Sequence, residues 1–187
     1  MFYLTRRNSC EVFLISQQMK KIVLIIVIGF ACLSADLPSG AIKKMDKTIQ
    51  SLWVNQVVTK EIIDLSKQQN VPTDLQLNKL LINNKPVAFL AISRAKSRVD
   101  FFDYMIIYNL DLSIKTIQVL AYREDYGGEI ASNRWLKQFT GKKNAEEMKF
   151  GQDIQGISGA TVSARSLTTD VQEVSKFMYQ LNSKGAI

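Results

Sequence analysis

Two hydrophobic periods divide the chain. Ile42, Met45, Ile49 and Leu52 recur at the three- and four-residue spacing of an amphipathic helix that ends near Trp53. Pro38-Ser39-Gly40 ahead of it reads as a linker. Residues 57–65 mix β-branched side chains with Lys60, Glu61 and Asp64, a pattern that fits a strand or a helix, and residues 67–74, with Pro72, read as a loop. Beyond them the period changes to two. Residues 77–82 and 86–93 flank Asn83-Asn84-Lys85, whose asparagines accept left-handed geometry, so a hairpin is expected. Phe102, Tyr104, Ile106 and Tyr108 then alternate with Phe101, Asp103, Met105 and Ile107, and a further strand follows over 114–122. Consecutive strands joined by short turns predict an antiparallel meander with one face on the helices.

The helical period returns after that sheet. Trp135, Leu136 and Phe139 fit a helix stopped at Thr140-Gly141-Lys142-Lys143, where glycine suits a left-handed C-terminal position and lysines suit the negative end of the dipole. Residues 145–150 form a short turn or helix. The last pattern is the longest, with Ala164, Leu167, Val171, Val174, Met178 and Leu181 on one stripe. The expected class is therefore α+β: an antiparallel sheet of about four or more strands packed against helices, closed by a long C-terminal helix.

Immediately before that helix stands Gly156-Ile157-Ser158-Gly159-Ala160-Thr161-Val162-Ser163. A small-residue turn lets the backbone pass close to a bulky anion. The first turn of a helix leaves N–H groups unpaired at the positive end of the dipole, which suits a phosphate. The same hydroxyls also suit plain capping, with Ser158, Thr161 or Ser163 tying up orphan amides. Spacing alone favours the cap. Tyr122-Arg123-Glu124-Asp125-Tyr126-Gly127-Gly128-Glu129 is the second informative stretch: paired glycines after a strand make a tight turn that can admit a planar ring, or an ordinary connection into a helix.

Composition narrows the chemistry. Met19-Lys20-Lys21, the apolar run 22–31 and the small residues Cys32, Ser34 and Ala35 have the charged, hydrophobic and cleavage regions of a secretory signal, and the run is short of the roughly 20 apolar residues of a membrane span. Residues 1–35 are thus expected to be a signal peptide with an upstream extension over 1–18; an uncleaved anchor is the second reading. Residues 36–187 form the domain. Without the first 35 residues both cysteines, Cys10 and Cys32, are gone, and the chain has no histidine, so the usual zinc, haem, Ser-His-Asp and Cys-His chemistries are excluded. The net charge of +7 drops to +4 with the loss of Arg6, Arg7, Lys20, Lys21 and Glu11. No stripe of basic and aromatic residues tracks nucleic acid, so no nucleic-acid partner is expected.

Ser158-Gly159-Ala160-Thr161 followed by Val162-Ser163 resembles the flavinylation motif of the FMN-binding domain family, which includes the flavin-carrying subunits of sodium-translocating NADH:quinone reductase and of Rnf complexes. The Glu124 and Gly127 turn resembles that family's Glu-Thr-Pro-Gly segment beside the flavin, with Asp125 and Tyr126 in place of the threonine and proline. The Trp135 helix matches in order as well. Where the family often has an aspartate three residues ahead of the motif serine, this chain has Gln155, with Asp153 two residues earlier. The resemblance implies FMN linked through its phosphate to Thr161, with Ser158, Gly159, Ala160 and Ser163 around the phosphate and Glu124, Tyr126 and Gly127 toward the ring. It implies a separate FAD- and magnesium-dependent flavin transferase and redox donor and acceptor proteins at or near the membrane. It implies an extracytoplasmic electron carrier with no catalytic acid or base and no metal. Two other readings stand beside it: a ligand-binding or structural module without flavin, and a reductase of a small extracytoplasmic acceptor.

Overall fold

The computed structural model describes residues 37–187; the export signal expected over residues 1–35 lies outside them. Helix α1 (Ser39–Leu52) leads into the sheet strands β1 (Thr59–Ile62), β2 (Gln76–Ile82), β3 (Lys85–Lys96), β4 (Phe101–Tyr108) and β5 (Ile114–Ala121). A 3₁₀ turn (Gly128–Ala131), the short helix α2 (Asn133–Leu136) and two further 3₁₀ turns follow, before α3 (Thr161–Ser183) ends the fold. All five strands pair antiparallel in chain order, β1-β2-β3-β4-β5. Among the described residues no helix is long and apolar enough to cross a membrane.

The meander follows from its turns. Asn83 and Asn84 both take positive φ (51° and 61°), and the Ile82↔Lys85 pair closes a two-residue hairpin between β2 and β3. The ambiguous segment 57–65 is a strand because an edge position is open there: β1 pairs with β2 and leaves all four of its residues exposed. Pro38-Ser39-Gly40 is not a linker. Pro38 is the N-cap of α1 and its carbonyl accepts the Ala41 N–H (2.8 Å), since a proline just outside a helix gives up no bond the helix needs.

Helices lie on both faces of the sheet, not on one. The main core gathers Phe89, Ala91, Ala95, Phe102, Tyr104, Ile106 and Tyr108 under Leu167, Val171, Val174 and Met178 of α3. The alternate residues Leu90, Ile92, Met105 and Ile107 are buried as well, on the opposite face. There α1 packs at β5: Ala41, Met45 and Ile49 are buried, Lys44 Nζ donates to the Val119 carbonyl (2.6 Å) and Thr48 Oγ1 donates to Gln118 Oε1. A strand apolar in both registers, such as β4, is one that expects cover on both sides.

The expected Trp135 helix is a single turn of α-helix tightened into a 3₁₀ turn (Lys137–Phe139), with Gly141 beyond it at φ +83°. Its role is to anchor a loop. The Trp135 indole Nε1 donates to the Gln155 carbonyl (2.6 Å), and the Gln155 N–H donates to Gln138 Oε1 (2.8 Å), so the approach to α3 is pinned at both backbone groups of one residue.

Candidate functional site

The site is built where that pinned loop enters α3. Ile157 to Ala160 make a tight turn: the Ala160 N–H donates to the Ile157 carbonyl (3.2 Å), and Gly159 takes the positive φ (+84°) such a turn demands at its third residue. Helix α3 then starts at Thr161 with no side-chain cap, and Ala160 before it has φ −126° and ψ 26°, away from the extended conformation of a capping residue. The first helical bond is from the Ala164 N–H to the Ala160 carbonyl (2.9 Å). The N–H groups of Thr161, Val162 and Ser163 therefore have no acceptor among the described residues. Plain capping is not what the three hydroxyls do.

Each hydroxyl has its own place. Thr161 is exposed and its Oγ1 donates to the Ile157 carbonyl (3.0 Å), which leaves the oxygen lone pairs directed away from that carbonyl. Ser158 is exposed on the outer side of the turn and lines a second groove, of about 610 Å³, with Trp135 and Gln138. Ser163 is buried, 3% exposed, and its Oγ lies 2.7 Å from Ser97 Oγ and 3.3 Å from the Tyr122 hydroxyl. Its side chain braces the start of the helix from inside. Ser97 and Tyr122 complete this hydroxyl cluster (2.9 Å apart), which ties the β3–β4 turn, the end of β5 and the first turn of α3 together.

Gly127 meets the motif directly. It has φ +84°, and a Cβ built on it would stand 3.5 Å from the Gly159 carbonyl oxygen, 3.7 Å from Ala160 Cβ and 2.7 Å from the Tyr122 hydroxyl. The two glycine turns separated by 32 positions are thus packed against each other, and only a residue without a side chain fits. Tyr122 also donates to the Tyr126 carbonyl (2.9 Å), fixing the turn's far side. Tyr126 itself projects into solvent, 86% exposed. Glu124 is turned to the neighbouring hairpin, where its Oε1 accepts the Val99 (2.8 Å) and Asp100 (2.9 Å) N–H groups; the Asp100 bond first, then the Val99 bond, hold its carboxyl below the usual carboxylate range.

Beside Thr161 runs an open groove of about 1000 Å³, walled by Phe101 and Val162, with Arg98 and Arg165 along it and Asp170 farther down α3. Phe101 and Val162 are large apolar side chains left about half exposed (48% and 55%). Asp170 accepts from the Tyr104 hydroxyl and from Ser93 Oγ (3.1 Å), and burial pushes its carboxyl above the usual value. Asp153 does not reach the motif: its Oδ2 accepts the Lys149 N–H (3.0 Å), and the Gln155 side chain donates to the Gln152 carbonyl (3.2 Å). Sequence reasoning did not find Ser97, Arg165 or the groove walls. Phe101 enters the sequence pattern only as an alternating strand residue and Val162 only as part of the motif, and their exposure is set by tertiary packing.

Taken together, an exposed hydroxyl, three free amides at a rigid helix start, two interlocked glycine turns and an adjoining half-apolar groove fit a ligand with a phosphate at one end and a flat ring at the other. Residues 101–176 match the family model of the FMN-binding domain, and this match indicates FMN as the cofactor. No curated protein matches the chain. The matched span starts at β4 and ends within α3, so it contains both glycine turns and Thr161 and omits α1 and the first three strands.

Proposed function

From an FMN-binding domain over residues 101–176 we propose an exported electron carrier whose FMN is joined through its phosphate to the Thr161 oxygen. The observation that carries the reading is the uncapped start of α3: a surface threonine hydroxyl beside N–H groups that have no acceptor among the described residues. Amides at an uncapped helix start lie at the positive end of the helix dipole, and a phosphate oxygen is a matching acceptor for them. The N–H groups of Val162 and Ser163 would hold the phosphate, the Gly127 and Gly159 turns would let it approach the backbone, and Phe101 and Val162 would offer apolar surface to the ring. FMN supplies the passage of one or two electrons.

Loading belongs to a separate flavin transferase that takes FAD and magnesium. In that step Thr161 would supply the oxygen that displaces AMP from the FMN phosphorus of FAD: the phosphoester bond forms as the pyrophosphate bond breaks, AMP leaves, and the hydroxyl proton passes to solvent. The hydroxyl is presented for this by its bond to the Ile157 carbonyl, and the hydroxyl cluster behind Ser163 keeps the turn from yielding. The donor and acceptor partners are redox proteins at or near the membrane, with export directed by residues 1–35. A fixed cofactor suits a compartment without a flavin supply.

Mass measurement of the peptide containing Thr161, from chain co-produced with a flavin transferase, tests the reading. An adduct of FMN mass on that peptide is expected, and an unmodified peptide from a culture in which the transferase loads a known substrate would sink it.

A further inference from the structure

We propose that Arg165 is the cationic partner of the phosphate at Thr161, held in position by the Phe150 ring. The inference rests on the phosphate seat above and adds a residue that its sequence motif does not contain.

Arg165 stands four residues after Thr161, on the same face of α3 and one turn farther along. Long side chains on a helix lie back over the turn N-terminal to their own Cα, so the surface that an arginine at 165 covers is the surface around 161. Both residues line the same groove. The Arg165 guanidinium is placed over the Phe150 ring, with its carbon 5.0 Å from the ring centroid. An aromatic ring attracts the cation without accepting its N–H groups in ordinary hydrogen bonds, so those donors are left for another acceptor.

No group among the described residues uses those donors. Arg165 makes no ion pair with a carboxylate and no side-chain hydrogen bond among the described residues, although Asp170 and Glu173 line the same groove. Phe150 is in turn part of the motif loop's support: its Cζ lies 3.4 Å from where a Gly156 Cβ would stand. The loop that shapes the phosphate turn therefore also sets the arginine. An exposed cation with an unused donor edge, preset one helical turn from the linking oxygen, is complementary to a singly charged phosphodiester and to the phosphate of unattached FMN alike. The amides recognise phosphate oxygens at the helix start; Arg165 supplies the charge from the side.

The test uses the full-length chain made without a flavin transferase, titrated with FMN and with riboflavin, which differ by the phosphate. The ratio of the two affinities isolates the phosphate contribution from that of the ring. Arg165→Ala is expected to reduce the FMN-over-riboflavin preference by about tenfold, as for loss of a charge-assisted contact, with riboflavin affinity unchanged. Arg165→Lys is expected to keep part of the preference, and Phe150→Leu to lower it by roughly threefold through loss of the platform. Lys176→Ala removes a cation from the same helix, outside that groove and about three turns beyond Arg165, and should leave the ratio within about twofold, because a screened charge at that distance lacks the contact.

An Arg165→Ala ratio equal to that of the unaltered chain, or a Lys176→Ala loss as large as that of Arg165→Ala, overturns the pairing. No preference for FMN in the unaltered chain removes the phosphate seat and the pairing with it. A preference that depends on Arg165, together with an unmodified Thr161 peptide from transferase-loaded cultures, supports the pairing and defeats covalent attachment alone.

Discussion

At its C-terminus α3 closes on itself: Gly185 takes φ +66°, its N–H donates to the Asn182 carbonyl (3.0 Å), and the Ala186 N–H reaches back to the Leu181 carbonyl (2.9 Å). That is the Schellman arrangement, which satisfies the last carbonyls from within the chain. At its N-terminus the same helix leaves three N–H groups without acceptors or a capping side chain among the described residues. Both ends were open to local solutions of similar cost. One adopts its solution, and the other is held open by contacts that run across the fold: Trp135 and Gln138 on the loop, Ser97 and Tyr122 behind Ser163, Gly127 against Gly159. A helix start shaped by so many distant residues is the place where the proposed phosphate would sit.

The contrast breaks hardest at Thr161. Thr161→Val removes the linking oxygen and keeps the branched shape, so the FMN adduct should vanish entirely from the intact mass while the thermal midpoint changes little, since the residue is exposed. Leu167→Ala acts on the helix between its ends. Its side chain is fully buried against the sheet, and truncation should cost about 2–5 kcal/mol in denaturant unfolding, enough to loosen both ends together.

The next two changes separate the ends. Gly127→Ala forces a side chain to positive φ and within 2.7 Å of the Tyr122 hydroxyl, so a loss of roughly 1–3 kcal/mol is expected together with poorer loading at Thr161. Gly185→Ala, at the closed end and with open space around it, should cost about 1 kcal/mol through its positive φ alone and leave loading intact. Equal loading in both variants would remove the distinction between the two ends.

The smallest effect is one of pH. Burial, opposed by the Tyr104 and Ser93 hydroxyls and helped by the negative charges of Glu173 and Asp74, raises the Asp170 carboxyl above its ordinary 3.8. A carboxyl raised on folding favours the folded state fully below the unfolded value, and that contribution is lost as pH rises through the folded one. Unfolding free energy should therefore decline as pH climbs from near 3.8 through the raised value. Asp170→Asn keeps an acceptor for Tyr104 and should flatten that decline; an unaltered slope in the variant would assign it elsewhere.

Much of this molecule was legible in residue order alone. Asn83-Asn84 fixed the β2–β3 hairpin because both asparagines had to enter the left-handed region, and the stripe from Ala164 to Leu181 fixed the long helix. The motif at Ser158 to Thr161, with the turn at Gly127, pointed to FMN and to the family over residues 101–176. Those signals are local, set by φ, by period and by residue type.

What tertiary structure decided depends on which side chains meet. Pro38-Ser39-Gly40 opens a helix rather than a linker, and that helix covers a second face of the sheet, because β4 is apolar in both registers and needs burial on both sides. The three motif hydroxyls, alike in sequence, go to a groove edge, an outer turn and a buried cluster, since Tyr122 and Ser97 arrive beside only one of them. The meeting of Gly127 with Gly159 and of Arg165 with Phe150 is likewise written in no local pattern. Periodicity tells which face of an element is buried, and only the packed chain determines what lies against it.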